Sequence, residues 1–143
     1  MTIEGLEHLD AADAEAIRRI LPQLSSGAPP DDDALARIVA APATTLFVAR
    51  DGAGTVIGTL TLAVFAIPTG VRAIIEDVVV DGAARGHGVG AALVEAALAS
   101  AAARGARTVD LTSRPSRGAA NRLYERLGFA RRETNVYRYS PDT

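Results

Sequence analysis

Six consecutive residues, Arg85–Gly90, have the composition of a loop that binds an anion. They lie between a valine-rich stretch and an alanine-rich stretch, which we expect to be a buried strand and a helix. Such a junction offers an anion the unpaired N–H groups and the positive dipole end of the helix. Gly86, Gly88 and Gly90 have no Cβ, so the backbone can approach the anion closely and adopt positive φ. We therefore expect this loop to hold phosphate oxygens, with Arg85 supplying or bracing a positive charge.

Three phosphate-binding patterns and one structural alternative apply to this loop. The Gly-x4-Gly-Lys-Ser/Thr pattern of a P-loop is absent. The Rossmann fingerprint fits residues 86–91, and Asp110 lies at about the twenty-residue distance where that fingerprint places an acidic residue. However, residues 81–84 separate the loop from its strand, and Asp110 does not end its own strand. The third pattern, Arg-x-x-Gly-x-Gly, runs from Arg85 to Gly90; the structural alternative is that the glycines only cap a helix.

Two motifs make the chain resemble a known family. The stretch VVVDGAARGHGVGAALVEAAL resembles the strand, pyrophosphate loop and helix that hold acetyl-coenzyme A in the GNAT family of N-acetyltransferases. The later stretch NRLYERLGF is similar to the next motif of that family. The likeness covers most of the chain and is strongest over residues 73–129. Each motif alone is moderately specific, and the two in this order form a specific signal.

The resemblance implies which residues bind the cofactor. Main-chain groups of the strand end would pair with the amides of the pantetheine arm, where the two middle strands of the sheet splay apart. The loop would bind the pyrophosphate, and Asn121 would anchor the cofactor near its reactive end. The predicted cofactor-binding residues are Val78, Val79, Val80, Arg85, Gly86, His87, Gly88, Val89, Gly90, Asn121 and Tyr124. The alternatives are that the valines are core residues and that Asn121 is a surface amide.

The resemblance also implies two catalytic residues. Tyr124 is the expected general acid, because a phenol can donate a proton to the departing thiolate. Glu76 is the expected base, directly or through a water, because an amine attacks only when it is neutral; burial would raise the pKa of this carboxyl group. Asp77 is expected on the opposite face of the strand. The alternatives are that Tyr124 only packs and that Glu76 pairs with an arginine or a backbone group.

The function implied is an acetyl-coenzyme A-dependent N-acetyltransferase in which a primary amine attacks directly within a ternary complex. The acceptor is a small-molecule amine or a peptide amine. The stretch IIEDVVVD is similar to the matching strand of glucosamine-6-phosphate N-acetyltransferases, but the basic cluster that a sugar phosphate requires is not identified. Aminoglycosides and protein termini stay open as acceptors. The alternative function is a non-catalytic module that senses acyl-coenzyme A or binds a protein.

The elements that position these residues follow from the apolar pattern and the turn residues. We predict one α/β domain over residues 1–143, with a mixed sheet of six to seven strands and about four helices. The predicted order is β, α, α, β, β, β, α, β, α, β, and the stretch FARRETNVYRYS supplies the closing strand or strands. The stretch VRAIIEDVVV is expected to be a central strand buried on both faces. Gly105 and Gly128 are expected to end the last two helices.

The composition excludes several classes of site. The 143 residues include no Cys and 2 His, so disulfides and thiolate sites are excluded and no metal site is expected. A net charge of −2 does not favour nucleic acid. The sequence has neither an apolar run long enough for a membrane span nor a signal-peptide pattern, so we expect a cytoplasmic protein without membrane contact. The stretch TNVYRY would provide a sheet edge for a homodimer.

Overall fold

The computed structural model describes residues 1–142 and contains two compact units, Met1–Thr112 and Ser113–Thr143. The first unit consists of β1 (Thr2–Gly5), α1 (Ala11–Ile20), α2 (Asp32–Ala40), β2 (Thr44–Arg50), β3 (Val56–Ile67), β4 (Gly70–Val80), α3 (Val89–Ala103) and β5 (Thr108–Asp110). The second unit contains α4 (Gly118–Arg126). The order of elements up to α4 agrees with the prediction. The single domain over residues 1–143 stays a prediction.

Within residues 1–142, the strands form one mixed sheet of five, in the order β1-β2-β3-β4-β5. The strands β1 to β4 are antiparallel neighbours, and β5 runs parallel to β4. The α/β class with four helices is confirmed, whereas the prediction of six to seven strands is not. The stretch FARRETNVYRYS forms no strand here, and Val136, Tyr137 and Tyr139 are exposed. Alternating residue types favour a strand, but a strand also needs a neighbour for its backbone hydrogen bonds.

Helices cover both faces of the sheet. On one face, α1 and α2 pack against a cluster that includes Leu46, Val48 and Val56. On the other face lie the buried residues Phe47, Ala49, Leu60 and Leu62, together with Gly58, whose surroundings place α3 on this face. A Cβ added to Gly58 would lie 3.1 Å from Val89 Cγ1 and 3.2 Å from Leu93 Cδ1. Glycine therefore lets the first turns of α3 lie directly on β3, which positions the loop that precedes them.

Local signals account for the ends of the helices. Asp10 and Asp31 cap α1 and α2, because each side chain accepts a hydrogen bond from an amide three residues later, at 2.8 Å. Gly105 ends α3 with φ at +84°, and Ala106 N–H donates to Ala101 O at 3.0 Å. Gly128 closes α4 in the same way, with φ at +100°. Both glycine stops were predicted and are confirmed.

Arg50 joins three segments of the first unit. Its Nη1 and Nη2 donate to the two carboxylate oxygens of Asp13, each at 2.8 Å, and its Nε donates to Glu4 Oε1 at 2.7 Å. Asp13 is buried, whereas the Glu4 side chain is 52% exposed. The hydrogen bonds from Arg50 hold the pKa of Asp13 below its ordinary value of 3.8. The Asp13 pair therefore stabilises the fold above pH 3.8, and this contribution is lost as the pH falls through the lowered pKa.

Replacing Arg50 with Met is expected to lower the free energy of unfolding by roughly 2 kcal/mol at pH 7, because the buried Asp13 carboxylate loses its partner. Urea denaturation of both proteins measures the difference. Glu4→Gln is the control and should change stability by less than about 0.5 kcal/mol, since that partner is exposed. The difference in free energy of unfolding between the native protein and the Arg50→Met variant should narrow between pH 5 and pH 3, because protonation of Asp13 removes the ion pair. An equal loss in both variants, or a gap independent of pH, would contradict this account.

Candidate active site

An irregularity in β4 shapes the region around the predicted base. Thr59 pairs with Val79 and Thr61 pairs with Glu76, so Leu60 alone faces two residues, Asp77 and Val78. This is a β-bulge, and Asp77 adopts φ of +52°, a left-handed conformation that Asp tolerates better than most residues. A bulge breaks the alternation of faces along the strand. The expectation that Glu76 and Asp77 lie in a strand stretch buried on both faces is wrong, because both side chains are exposed.

Glu76 and Asp77 are both exposed. Burial is therefore not available to tune Glu76 as a base, in contrast to the expectation from the apolar run around it. Among residues 1–142, no cation forms an ion pair with Glu76, so the alternative of a structural arginine pair is not realised either. Glu76 and Asp77 are a pair of accessible carboxylates directly before Val78. An accessible carboxylate can attract an ammonium group and accept a proton from it through water.

The end of β4 has a free main-chain edge. Asp81 N–H donates to Ile57 O at 2.8 Å, so the N–H and C=O of Val80, one residue earlier, point to the opposite edge. On that edge, the parallel pairing with β5 ends at Ile74 and Asp110. On this edge, which faces away from β3, no strand in residues 1–142 pairs with β4 beyond Ile74. The structure thus leaves main-chain groups at the Val78–Val80 end open to an extended ligand, although at an outer pair of strands and not in the middle of the sheet.

An uninterrupted run of unpaired amides extends from residue 86 to residue 91, through the loop and into the first turn of α3. Gly86 and Gly88 adopt φ of +85° and +75°, as expected for glycine in such a loop, and both are exposed. The first amide that is bonded within α3 is that of Ala92, which donates to Gly88 O at 3.0 Å. Within the described part of the chain, no N–H from residue 86 to residue 91 has a hydrogen-bond partner. Successive free amides at a helix start form a concave site for an anion.

The residues directly before the loop use their amides internally. The amides of Gly82 and Ala83 donate to side-chain oxygens, and those of Ala84 and Arg85 donate to the carbonyls of Asp81 and Gly82. Arg85 can therefore contribute its exposed guanidinium, but not its own N–H. This division marks where the anion site begins, at residue 86. The amides of residues 89–91 would be free at the start of any helix, whereas those of residues 86–88 lie before α3 and extend the run beyond what a helix start alone leaves unpaired.

Two predicted residues of the loop have contrasting surroundings. Val89 is buried and packs against Gly58, so it offers only its main chain to a ligand. His87 is exposed and lines an open groove of about 530 Å³ with Arg19 and Asp51.

In the second unit, Asn121 and Tyr124 lie one turn apart on α4. Asn121 Nδ2 donates to Arg114 O at 3.1 Å, which ties the helix to the turn before it. This bond leaves the amide oxygen and the second Nδ2–H of Asn121 as groups that a ligand could use. The ring of Tyr124 packs edge-on against Phe129, with the centroids 5.9 Å apart.

Burial raises the pKa of Tyr124 above its ordinary value of 10, and the positive charge of Arg117 opposes the shift. The phenol is therefore fully protonated at neutral pH, which is the state that a general acid requires. Glu76, Val78–Val80 and the loop belong to the first unit, whereas Asn121 and Tyr124 belong to the second.

The sequence analysis did not identify one residue that contacts the segment directly before the loop. Gln23 follows α1, and its side chain contacts Asp81 and Gly82 across 58 and 59 residues of sequence. No local pattern could have revealed this contact, because it depends on how α1 packs on the sheet. The bulge at Asp77 was equally hidden, since an Asp in a strand signals no particular conformation.

Comparisons with known proteins place the chain among acetyltransferases. A model of the acetyltransferase (GNAT) family matches residues 12–129. A search of curated proteins gave no match. None of the helices in residues 1–142 is long and apolar enough to cross a membrane.

Solved structures resemble the chain over nearly its whole length. A transcriptional regulator from Bacillus halodurans C-125 is 28% identical, with a TM-score of 0.81 and coverage of 97% of this chain and 99% of that one. Glucosamine-6-phosphate N-acetyltransferase from Arabidopsis thaliana is 21% identical, with a TM-score of 0.81 and coverage of 96% and 97%. An aminoglycoside acetyltransferase from an uncultured soil metagenomic sample, solved with trehalose, is 21% identical, with a TM-score of 0.85 and coverage of 99% and 96%. The last two likenesses show the shared fold.

Proposed function

Because this chain belongs to the GNAT family of acetyltransferases, we propose that it transfers an acetyl group from acetyl-coenzyme A to a primary amine by direct attack. The observation that carries the proposal is the run of six free amides from residue 86 to residue 91. A diphosphate offers several negative oxygens to such a run, and the exposed Arg85 adds a positive charge. The free edge at the end of β4 suits the two amides of a pantetheine arm, which could pair as an added strand.

The chain's own groups divide the work of the transfer. Acetyl-coenzyme A, when bound, supplies the acetyl group as an activated thioester. Glu76 accepts the proton of the substrate ammonium, directly or through water, so that the nitrogen lone pair can attack the carbonyl carbon. A main-chain N–H of Val78–Val80 stabilises the oxyanion, and Tyr124 Oη donates its proton to the sulfur as the C–S bond breaks. The attacking nitrogen loses its second proton as the amide forms, and this proton returns Tyr124 to the phenol form, directly or through water. Positioning the two reactants next to each other supplies much of the rate.

The acceptor that we propose is cationic before it reacts. Glu76 and Asp77 are two accessible carboxylates, and they favour a positively charged amine over a neutral or anionic one. An aminoglycoside, a polyamine-like small molecule and a peptide amine all meet this requirement. An amino-sugar phosphate fits less well, because its phosphate would be repelled by the same pair.

A second candidate function is a non-catalytic module that binds acyl-coenzyme A and reports it to a partner. The B. halodurans structure, which is described as a transcriptional regulator, favours this alternative. A sensor would need the loop and the β4 edge but not Glu76 or Tyr124. The two candidates therefore differ in turnover and agree in coenzyme binding.

Thiol release from acetyl-coenzyme A tests the proposal. The chain contains no Cys, so a thiol reagent detects only free coenzyme A. The acceptors are an aminoglycoside, a diamine, a peptide with a free amino terminus and glucosamine 6-phosphate, each compared with a reaction lacking acceptor. We expect release above background with at least one cationic acceptor and the weakest release with the sugar phosphate. Tight coenzyme binding without release across the panel would favour the sensor instead.

A further inference from the structure

The side-chain amide of Gln23 forms two hydrogen bonds at the junction between β4 and the loop. Its Oε1 accepts a hydrogen bond from Gly82 N–H at 2.8 Å, and its Nε2 donates to Asp81 Oδ1 at 3.2 Å. Gln23 lies in the short 3-10 turn Leu21–Gln23 that follows α1. The contact therefore joins the first helical segment of the chain to the start of the proposed coenzyme site.

The residues held by Gln23 determine how the chain leaves the sheet. Asp81 makes the last main-chain bond between β4 and β3, through its N–H to Ile57 O. Its carbonyl accepts from Ala84 N–H at 2.8 Å, and its carboxylate accepts from Ala83 N–H at 3.4 Å. Asp81 thus sets the direction of the Gly82–Ala84 turn, and Arg85 alone separates this turn from residue 86.

Part of this turn is held by long hydrogen bonds. Two of its internal hydrogen bonds, from Ala83 and Arg85, are 3.4 Å long, near the limit at which such a bond still contributes. Asp81 is accessible and negatively charged, and it stands next to the site proposed for a diphosphate. The Gln23 amide fixes this carboxylate by donating to it, and the cations that act on Asp81 besides are Arg19 and Arg85.

We propose that Gln23 is a positioning residue for coenzyme binding, which holds Asp81 and Gly82 so that the free amides of residues 86–91 are ordered before the diphosphate arrives. The inference rests on the proposed function, because it assumes that the loop binds coenzyme A. Gln23 itself does not touch the coenzyme. Its effect should appear in coenzyme affinity and not in the rate of transfer at saturation.

A pair of compensating substitutions at Gln23 and Asp81 tests this role. Gln23→Glu keeps the length of the side chain but replaces the donor with a carboxylate that repels Asp81, and we expect the Kd for coenzyme A to rise about tenfold at pH 7.5. Asp81→Asn combined with Gln23→Glu restores a donor–acceptor pair, because the introduced amide can donate to the introduced carboxylate. The double variant should bind within about threefold of the native protein. Calorimetry measures Kd, and thermal unfolding monitors the fold.

The outcomes separate the inference from the proposed function. If the native protein does not bind coenzyme A, the proposed function fails. If the native protein binds and Gln23→Glu binds equally well, or the double variant is no better than the single one, the role of Gln23 is overturned. A fall in kcat at saturating acetyl-coenzyme A, with unchanged KM, would also overturn it. Should Gln23→Glu fail to fold, Gln23→Met, which lacks both hydrogen-bonding atoms, is expected to show the same loss of affinity.

Discussion

Replacing Tyr124 with Phe is expected to lower kcat by about 10²- to 10³-fold, which is the range for loss of a general acid. The Kd for coenzyme A should stay within about twofold, since the ring and its packing against Phe129 are kept. The reason is chemical: a thiolate leaves more readily when it receives a proton, and the burial that raises the pKa of Tyr124 keeps that proton in place. Substrate binding does not need the hydroxyl.

The matched control for this variant is Tyr137→Phe, which removes a hydroxyl from a tyrosine that is 88% exposed in the same unit. Steady-state thiol release should be unchanged in the control. The acid must be protonated to act, so Tyr124 does not limit the rate of the native enzyme until the pH exceeds its raised pKa, above 10. Equal activity of Tyr124→Phe and the native enzyme would remove Tyr124 from the mechanism but would leave coenzyme binding intact.

Replacing Gly88 with Asp is expected to weaken coenzyme A binding by at least about 100-fold at low salt. A Cβ at Gly88 would meet no atom within 4 Å, and the φ of +75° is one that Asp and Asn tolerate better than other residues. The fold should therefore persist, while the new carboxylate lies beside the amides that we assign to the diphosphate. The diphosphate of the coenzyme and the introduced carboxylate would compete for the same N–H donors.

Gly88→Asn is the control, because it has the same shape and backbone preference without the charge. We expect it to weaken binding by no more than about tenfold, and the difference between the two variants should shrink as salt is raised. Calorimetry at two ionic strengths measures both effects. If Asp and Asn reduce affinity equally, the loop does not bind an anion.

The site could be predicted where local sequence determines local structure. The glycines at 86 and 88 require positive φ, the Ala-rich stretch after them forms α3, and Gly105 and Gly128 end their helices as expected. In each case the physical cause lies within a few residues of its effect. That is why the loop, the two final helices and the family resemblance were accessible from the sequence alone.

The sequence-based predictions that were wrong or missing concern features that depend on contacts between residues distant in sequence. The exposure of Glu76 and Asp77 was not expected because the apolar residues around them indicate a buried strand, and no residue type indicates the bulge opposite Leu60. The closing strand after α4 was predicted from alternation, which says nothing about whether an edge is available to it. The contacts of Gln23 could not be predicted for the same reason, since its partners Asp81 and Gly82 lie far from it in sequence.

Amide chemical shifts measured during titration test the central claim most directly. In ¹⁵N-labelled protein, coenzyme A should shift the amides of residues 86–91 more than those of residues 82–85, whose donors are already bonded. Pantetheine, which lacks the diphosphate, should leave residues 86–91 nearly unchanged. Binding of coenzyme A that leaves these six amides unmoved, or equal shifts with pantetheine, would contradict the account.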